Sequence, residues 1–396
     1  MVEKQTLIKA AVLRLAAVAL LLGLSLAMGR AATAETIGRC GKGWLETIDG
    51  YLVLHVKGTP YEMGYQHGTL LKQHCRDNLD YLLHAKGQEL FKVGPVPIDP
   101  QPLVLGIIEM QKPYVPERYF QELNGLADAA ELRREEVYVG NFIPELFHCS
   151  GFAVMGSATT DGTLYHGRVL DYACDWRLQE HAVLVVAEPE GGIPYVNVTY
   201  AGFIGSVTGM NAQQISIGEM GGLGVGHWSG VPMSFLMREV LQTATTLREA
   251  VAVFEKNPRT CTYYYVIADG ETNEAVGVAA NWEKVVTIRP GEAHKLLPDP
   301  VPDAVLLSAG DRYQQLVKRT RQSHGQIDQL SARHLMDRPV AMRSNLHNVL
   351  FAPRSTRLWV ANASLQGQPA ADQPYQEFQL TELLQRTPDD EPATGR

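Results

Sequence analysis

The chain has 396 residues, 45% of them hydrophobic and 20% charged, with 36 glycines and 22 prolines. That apolar content supplies a core and excludes global disorder and collagen-like or low-complexity character, and five cysteines in this length exclude a disulfide-dense scaffold. A formal charge of −8 argues against a nucleic-acid partner held on a broad basic face, and the length suits one large domain or two closely joined ones.

The N-terminus reads as a targeting segment. Lys4, Lys9 and Arg14 form a positive stretch, Leu15 to Met28 is a run of 14 apolar or small residues, and Ala32-Thr33-Ala34 offers small residues for signal-peptide cleavage. The run is shorter than the roughly 20 residues a membrane span needs. Residues 1–34 are therefore expected to be a signal peptide, and the protein to be exported, periplasmic or extracellular, with no stable membrane span.

Residues 51–57 read as a strand, followed by a turn at Gly58-Thr59-Pro60. A helix is expected from Pro60, with Thr59 as N-cap and Glu62 closing a capping box. Residues 69–90 and 103–136 carry helical periodicity, interrupted at Pro113 and Pro116, so the first third is expected to be mainly helical. From residue 151 the texture changes to short β-rich runs, among them 183–187, 195–200 and 215–217. A helical stretch follows over 233–256, then strands at 262–268 and 275–279 around Asp269-Gly270. The end after 363 is rich in Gln, Pro and acidic residues and reads as a tail. Strands in the middle with helices on both sides indicate a layered α+β domain.

The stretch with chemistry runs from His148-Cys149-Ser150-Gly151 through the turn at Asp161-Gly162 to Tyr165-His166-Gly167-Arg168-Val169-Leu170-Asp171-Tyr172. Two strands joined at that turn form a hairpin, which brings Cys149 near Arg168 and Asp171. A thiol beside a fixed guanidinium has its thiolate favoured, which activates it as a nucleophile. The bland reading is a buried structural cysteine with an Arg–Asp pair across a hairpin. No general base is fixed by the spacing, although His148 precedes the thiol and His166 shares a strand face with Arg168.

This segment resembles the nucleophile region of the N-terminal nucleophile (Ntn) hydrolases, in particular the acid amidases, acid ceramidase and the penicillin-type acyltransferases. Supporting likeness extends over roughly 50 to 360. It includes Gly58-Thr59-Pro60-Tyr61-Glu62-Met63-Gly64-Tyr65-Gln66-His67-Gly68, the run Pro144 to Gly151, Gly202-Phe203 to Thr208-Gly209, Gly218-Glu219 and Val231-Pro232-Met233-Ser234-Phe235-Leu236. The resemblance implies a four-layer αββα sandwich and self-cleavage between His148 and Cys149. Residues 35–148 would form one fragment, 149–362 the catalytic core and 363–396 a tail, the fragments staying together after the cut. Cys149 would then supply the thiolate, and its new α-amine, which titrates near 7.7–8.0 when unperturbed, would serve as base. Arg168 would support the thiolate and Asp171 the amine. The implied substrate is a small N-acyl compound, cleaved or transferred through a thioester without a cofactor or metal. A binding protein that keeps the fold without catalysis is the alternative. Two departures stand out: Val169 replaces an Asn usual in acid amidases, and the region Pro290 to His294 lacks their oxyanion-donating Asn, leaving a backbone N–H near Tyr172, another side chain or His294 for that role. Losing such a donor typically costs a hundredfold or more.

Other candidates weigh less. Tyr172, Glu219, Trp228 and Arg312 are possible substrate contacts, and the glycine-rich run 221–230 matches no phosphate-loop order. His67 and His74 share one side of a helix but lack a third metal ligand, so packing roles are expected. Asn197-Val198-Thr199 is a glycosylation sequon.

Overall fold

The computed structural model describes residues 34–90, 92–93, 96–97, 99–142, 148–222 and 226–388; the expected leader lies outside them apart from Ala34. The chain enters as three antiparallel strands, β1 (Ala34–Cys40), β2 (Gly43–Ile48) and β3 (Tyr51–Gly58). The next helix, α1 (Pro60–Leu70), starts as its residues dictate: Thr59 accepts from the Glu62 N–H, and the Glu62 carboxylate accepts from the Thr59 N–H at 2.8 Å. Then come α2 (Lys72–Asp80), which runs on as a π-helical turn at Tyr81–Lys86, and α3 (Gln101–Gln111), α4 (Glu117–Ala130) and α5 (Arg134–Phe142). The break between α3 and α4 falls at Pro113 and Pro116, whose rings cannot continue a helix.

The glycines of α1 explain how closely its neighbour lies. A Cβ on Gly64 would stand 1.8 Å from the Glu122 carbonyl oxygen, and one on Gly125 would stand 2.2 Å from that of Tyr61. Backbone thus lies against backbone between α1 and α4. Because neither carbonyl can swing aside, Gly64→Ala is expected to cost about 3 kcal/mol, the upper end of ordinary overpacking, readable as a lower denaturant midpoint at unchanged slope.

Two hairpin strands follow, β4 (His148–Gly156) and β5 (Gly162–Asp171). The chain then lays down β6 (Ala182–Pro189), β7 (Tyr195–Tyr200), β8 (Thr208–Asn211) and β9 (Ile215–Gly221). The expected helix over 233–256 is two, α6 (Met233–Thr243) and α7 (Leu247–Lys256), because Thr246 opens a new helix by capping the Glu249 N–H. Strands β10 (Tyr263–Asp269), β11 (Glu274–Ala280), β12 (Val285–Ile288) and β13 (Ala304–Leu307) precede α8 (Gly310–Ser323) and α9 (Gln329–His334). Last come β14 (Asn345–Ala352), β15 (Arg357–Asn362) and β16 (Gln376–Gln379).

These strands make two sheets. Ten pair in the order β1-β2-β3-β6-β7-β8-β9-β10-β11-β12, with β3 and β6 parallel and the other pairs antiparallel; six pair as β13-β4-β5-β14-β15-β16. The sheets meet where β9, β10 and β11 lie over β4 and β5; α1, α6 and α7 cover the outside of the larger sheet, and α8 and α9 that of the smaller. This is the α+β, four-layer αββα sandwich, with β4 and β5 at its centre.

Two segments differ from expectation. Ahead of the expected strand, which forms as β3, residues 34–48 add two more, β1 and β2, so the N-terminal segment contributes a sheet edge as well as helices. The stretch after 363 is built into the fold rather than trailing from it: β16 extends the smaller sheet, Phe378 and Leu380 are buried, and the Arg386 guanidinium reaches the buried Glu46 carboxylate of β2. Polar Gln376 and Gln379 alternate with these few anchors, so composition hid a strand.

Candidate active site

In the β4–β5 ladder Cys149 pairs with Leu170, Gly151 with Arg168 and His148 with Asp171, so the expected hairpin forms and its open end gathers the expected residues. Side chains alternate across a sheet, which divides them between two faces. Cys149, Arg168 and Leu170 point between the sheets; Ser150 and Asp171 point toward the layer that carries α8.

On the inner face Arg168 is fully buried and meets the buried Glu219 of β9 at 3.2 Å. Its Nε donates to the Val207 carbonyl at 3.3 Å, its Nη1 donates to its neighbour Val169, and it hydrogen-bonds the Cys149 thiol. A Cβ at position 218 would lie 2.7 Å from the Arg168 Cδ, so Gly218 is the groove through which this side chain passes. Burial nonetheless pushes the Cys149 thiol up to about 12; Arg168 pulls it down, while Glu219 and Asp171 push it up. With His148 still attached, the sulfur is a protonated thiol at neutral pH.

On the outer face Asp171 is held by Arg312 of α8 through Oδ2, and Oδ1 accepts from the Met342 N–H at 2.9 Å. Arg312 also donates to the Ser150 hydroxyl at 2.7 Å and to the Val340 carbonyl at 2.7 Å, and Ser150 lies 2.7 Å from Ser308. Burial raises the Asp171 carboxyl to about 6, against the lowering pull of Arg312. Sequence reasoning missed Ser150 and Ser308; their signal was the odd spacing of Arg168 and Asp171, which sends the carboxylate to the α8 side, where it needs partners.

Two cavities flank the hairpin end. One of about 310 Å³ is lined by Cys149, Met220, Tyr264, Leu297, Ser308 and Arg312, with His294 also in its wall. The other, about 90 Å³, is lined by Leu170, Tyr172, Tyr200, Val207 and Trp228 together with Asn141 from the N-terminal segment. Tyr172, Glu219, Trp228 and Arg312 are therefore all brought to the site: Tyr172 and Trp228 to the smaller cavity, Arg312 to the larger, Glu219 to Arg168. His294 accepts at Nδ1 from the Leu296 N–H at 3.3 Å, which leaves its Nε2 as the donor nitrogen when neutral.

Other candidates find structural roles. His166 shares the inner face with Arg168 but pairs with Ala153, two rungs beyond it, and lies 2.8 Å from the Ser216 hydroxyl; burial lowers it to about 3, so it is no base for Cys149. His67 accepts from the Gly202 N–H at 3.1 Å, and His74 meets His181 at 3.2 Å. Asn197 is buried in β7, its amide donating to the Gly205 carbonyl at 3.0 Å, so the sequon is closed to a glycan in the folded chain. Among the described residues all five cysteines are free thiols, and no helix is long and apolar enough to cross a membrane.

Residues 158–296 match the family model described as acyl-coenzyme A:6-aminopenicillanic acid acyl-transferase. The chain is 28% identical over 261 residues to protein dcd1A of Dictyostelium discoideum, covering 59% of each chain. It is 24% identical over 183 residues to the N-acylethanolamine-hydrolyzing acid amidase of Rattus norvegicus, covering 43% of this chain and 49% of that one. The chain thus spans about half to three-fifths of the length of these curated relatives. The structure of the Caenorhabditis elegans ortholog of that amidase aligns with a TM-score of 0.42 and 20% identity over 52% of this chain and 93% of that one.

Proposed function

We propose, for a chain that belongs to the Ntn cysteine hydrolase family of amidases and penicillin-type acyltransferases, that it is an exported, self-cleaving enzyme whose Cys149 takes an acyl group from an N-acyl compound. The observation that carries the reading is the hairpin end itself, where Cys149 opens the central strand of the sandwich against a buried guanidinium and beside a cavity of about 310 Å³.

In the uncut chain the Cys149 thiol attacks the His148 carbonyl carbon. The His148–Cys149 C–N bond breaks, the thiol proton passes to the departing nitrogen, and water opens the resulting thioester to a His148 carboxylate and a free thiol. The new α-amine sits where β4 pairs with Asp171, so the carboxylate held by Arg312 orients it. In turnover that α-amine takes the thiol proton, the thiolate attacks the substrate carbonyl carbon, the substrate's C–N bond breaks, and the α-ammonium hands the proton to the departing substrate amine. Water or an acceptor amine then releases the acyl group. Arg168 stabilises the thiolate, and Nε2–H of His294 in the cavity wall is the donor offered to the developing oxyanion. The apolar walls at Met220, Tyr264 and Leu297 suit the acyl chain.

A panel of N-acyl amino acids, ethanolamides, lactones and penicillins, with a thiol-reactive acyl probe, tests this. Acyl release by wild type and probe labelling lost in Cys149→Ala are expected. Labelling of wild type equal to that of Cys149→Ala, with no acyl release, means a non-catalytic binding protein.

The pH profile follows from Asp171. Its ionised form is the working one, so kcat/KM should fall as pH drops through about 6. Arg312 favours that ionised form, so Arg312→Gln is expected to move the acid limb to higher pH. A limb that stays in place or moves down contradicts the assignment.

A further inference from the structure

The residues 201–207 between β7 and β8 form a junction. Asn78 donates to the Ala201 carbonyl at 2.8 Å, Asn141 donates to the Gly202 carbonyl at 2.9 Å and accepts from the Ile204 N–H, and Arg238 donates to the Ile204 carbonyl. Val207, at its far end, supplies the carbonyl that fixes Nε of Arg168. Both ends of this loop are tied to one ring. His347 of β14 is fully buried, with Nδ1 2.9 Å from the Tyr200 hydroxyl and Nε2 2.9 Å from the Thr208 hydroxyl. Its strand position pairs with Leu170, which in turn pairs with Cys149, so His347 stands on the rung of Cys149, one strand beyond β5. Both ring nitrogens are used, and burial beside Arg168 keeps the ring neutral. A neutral imidazole with one donor and one acceptor nitrogen fits two hydroxyls 147 and 139 positions away in sequence, each of which can donate or accept.

We infer that His347 is a positioning residue for Arg168: by tying Tyr200 and Thr208 to the smaller sheet it fixes the 201–207 loop, and through the Val207 carbonyl it sets the guanidinium against the Cys149 thiol. The inference rests on the proposed thiolate chemistry of Cys149. It also gives the N-terminal segment a route to the nucleophile, since Asn78 and Asn141 grip the same loop that Arg168 leans on. The charged and titratable groups acting on the thiol are Arg168, Glu219 and Asp171, and none of them is removed by changing position 347.

The test uses the full chain and reads Cys149 alkylation by iodoacetamide as a function of pH, with the modified peptide identified by mass spectrometry. His347→Leu breaks both ties, Thr208→Val breaks one at almost constant volume, and His347→Gln restores a donor and an acceptor. His347→Leu is expected to raise the alkylation midpoint by about one pH unit, an about tenfold loss of thiolate at a fixed pH below it. Thr208→Val should move it the same way by less, and His347→Gln should return it most of the way. With a substrate in hand, kcat should fall in the same order while KM stays within about twofold. Should His347→Leu fail to fold, Thr208→Val and His347→Gln carry the same comparison. Variants with lower thermal stability but an unmoved alkylation midpoint would overturn the inference and leave His347 a structural tie. An acyl-releasing Cys149→Ala protein would instead remove the proposed function, and the inference with it.

Discussion

Arg168→Met is expected to be the most damaging single change that leaves the nucleophile in place. Its guanidinium is fully buried and faces a Glu219 carboxylate that is 1% exposed. Truncating it strands that carboxylate in the space between the sheets, and breaking a buried pair from one side costs about 3–5 kcal/mol. The thiol at the same time loses the only group among its three charged neighbours that pulls its pKa down. Urea unfolding should show the stability loss, and alkylation of Cys149 should move to higher pH. The companion change Glu219→Gln separates the two effects, because Glu219 pushes the thiol up. Its removal should lower the alkylation midpoint while still reducing stability. Parallel movement of both variants would show that the thiol reports only the loosening of the core.

The second large effect is expected from Cys149→Ala. In the proposed reaction the thiol attacks the substrate and also the bond whose cleavage frees the α-amine, so no other side chain at the hairpin end can replace it. His166 lies two rungs beyond Arg168 and neutral, and Asp171 faces the other layer. Activity should fall to background, and the chain should remain a single uncut species of unchanged stability, since the small thiol is 7% exposed and gives way to a smaller apolar group. Cys149→Ser keeps an attacking oxygen of lower nucleophilicity and should cut slowly if at all. Acyl release by Cys149→Ala above background counts against the assignment.

Much of this site was legible in the sequence because its geometry is local. An Asp161-Gly162 turn with strand-like runs on either side fixes a hairpin, and a hairpin fixes which residues meet at its open end. Alternation also held the division of faces: Arg168 and Asp171 are three apart, so one carboxylate and one guanidinium had to point opposite ways. Their partners come from far along the chain, Glu219 from the larger sheet and Arg312 from a helix packed on the smaller, and no spacing rule joins them. His347 was invisible for the same reason. The capping box at Thr59 and Glu62 announced α1, whereas the packing of α1 on α4 through Gly64 and Gly125 depends on a tertiary contact. The edge strands β1 and β16 were hidden because they carry few buried apolar residues and hold polar, hydrogen-bonded side chains such as Gln376.

The central claim is that the working nucleophile is a chain terminus made by the protein itself. Once the expected leader is removed, the proposed cleavage between His148 and Cys149 would divide residues 35–396 into pieces of 114 and 248 residues, about 12.5 and 27 kDa by proportion from 43.6 kDa for the whole chain. Sheet pairing between β3 and β6 and the tie from Arg386 to Glu46 join the pieces, so they should elute together and separate only on denaturation. Mass spectrometry and N-terminal sequencing of active wild-type protein under denaturing conditions is the decisive measurement. The account predicts two species, the larger beginning with Cys149, and one species for Cys149→Ala. Full activity from a single uncut chain, with Cys149 still internal, would contradict it.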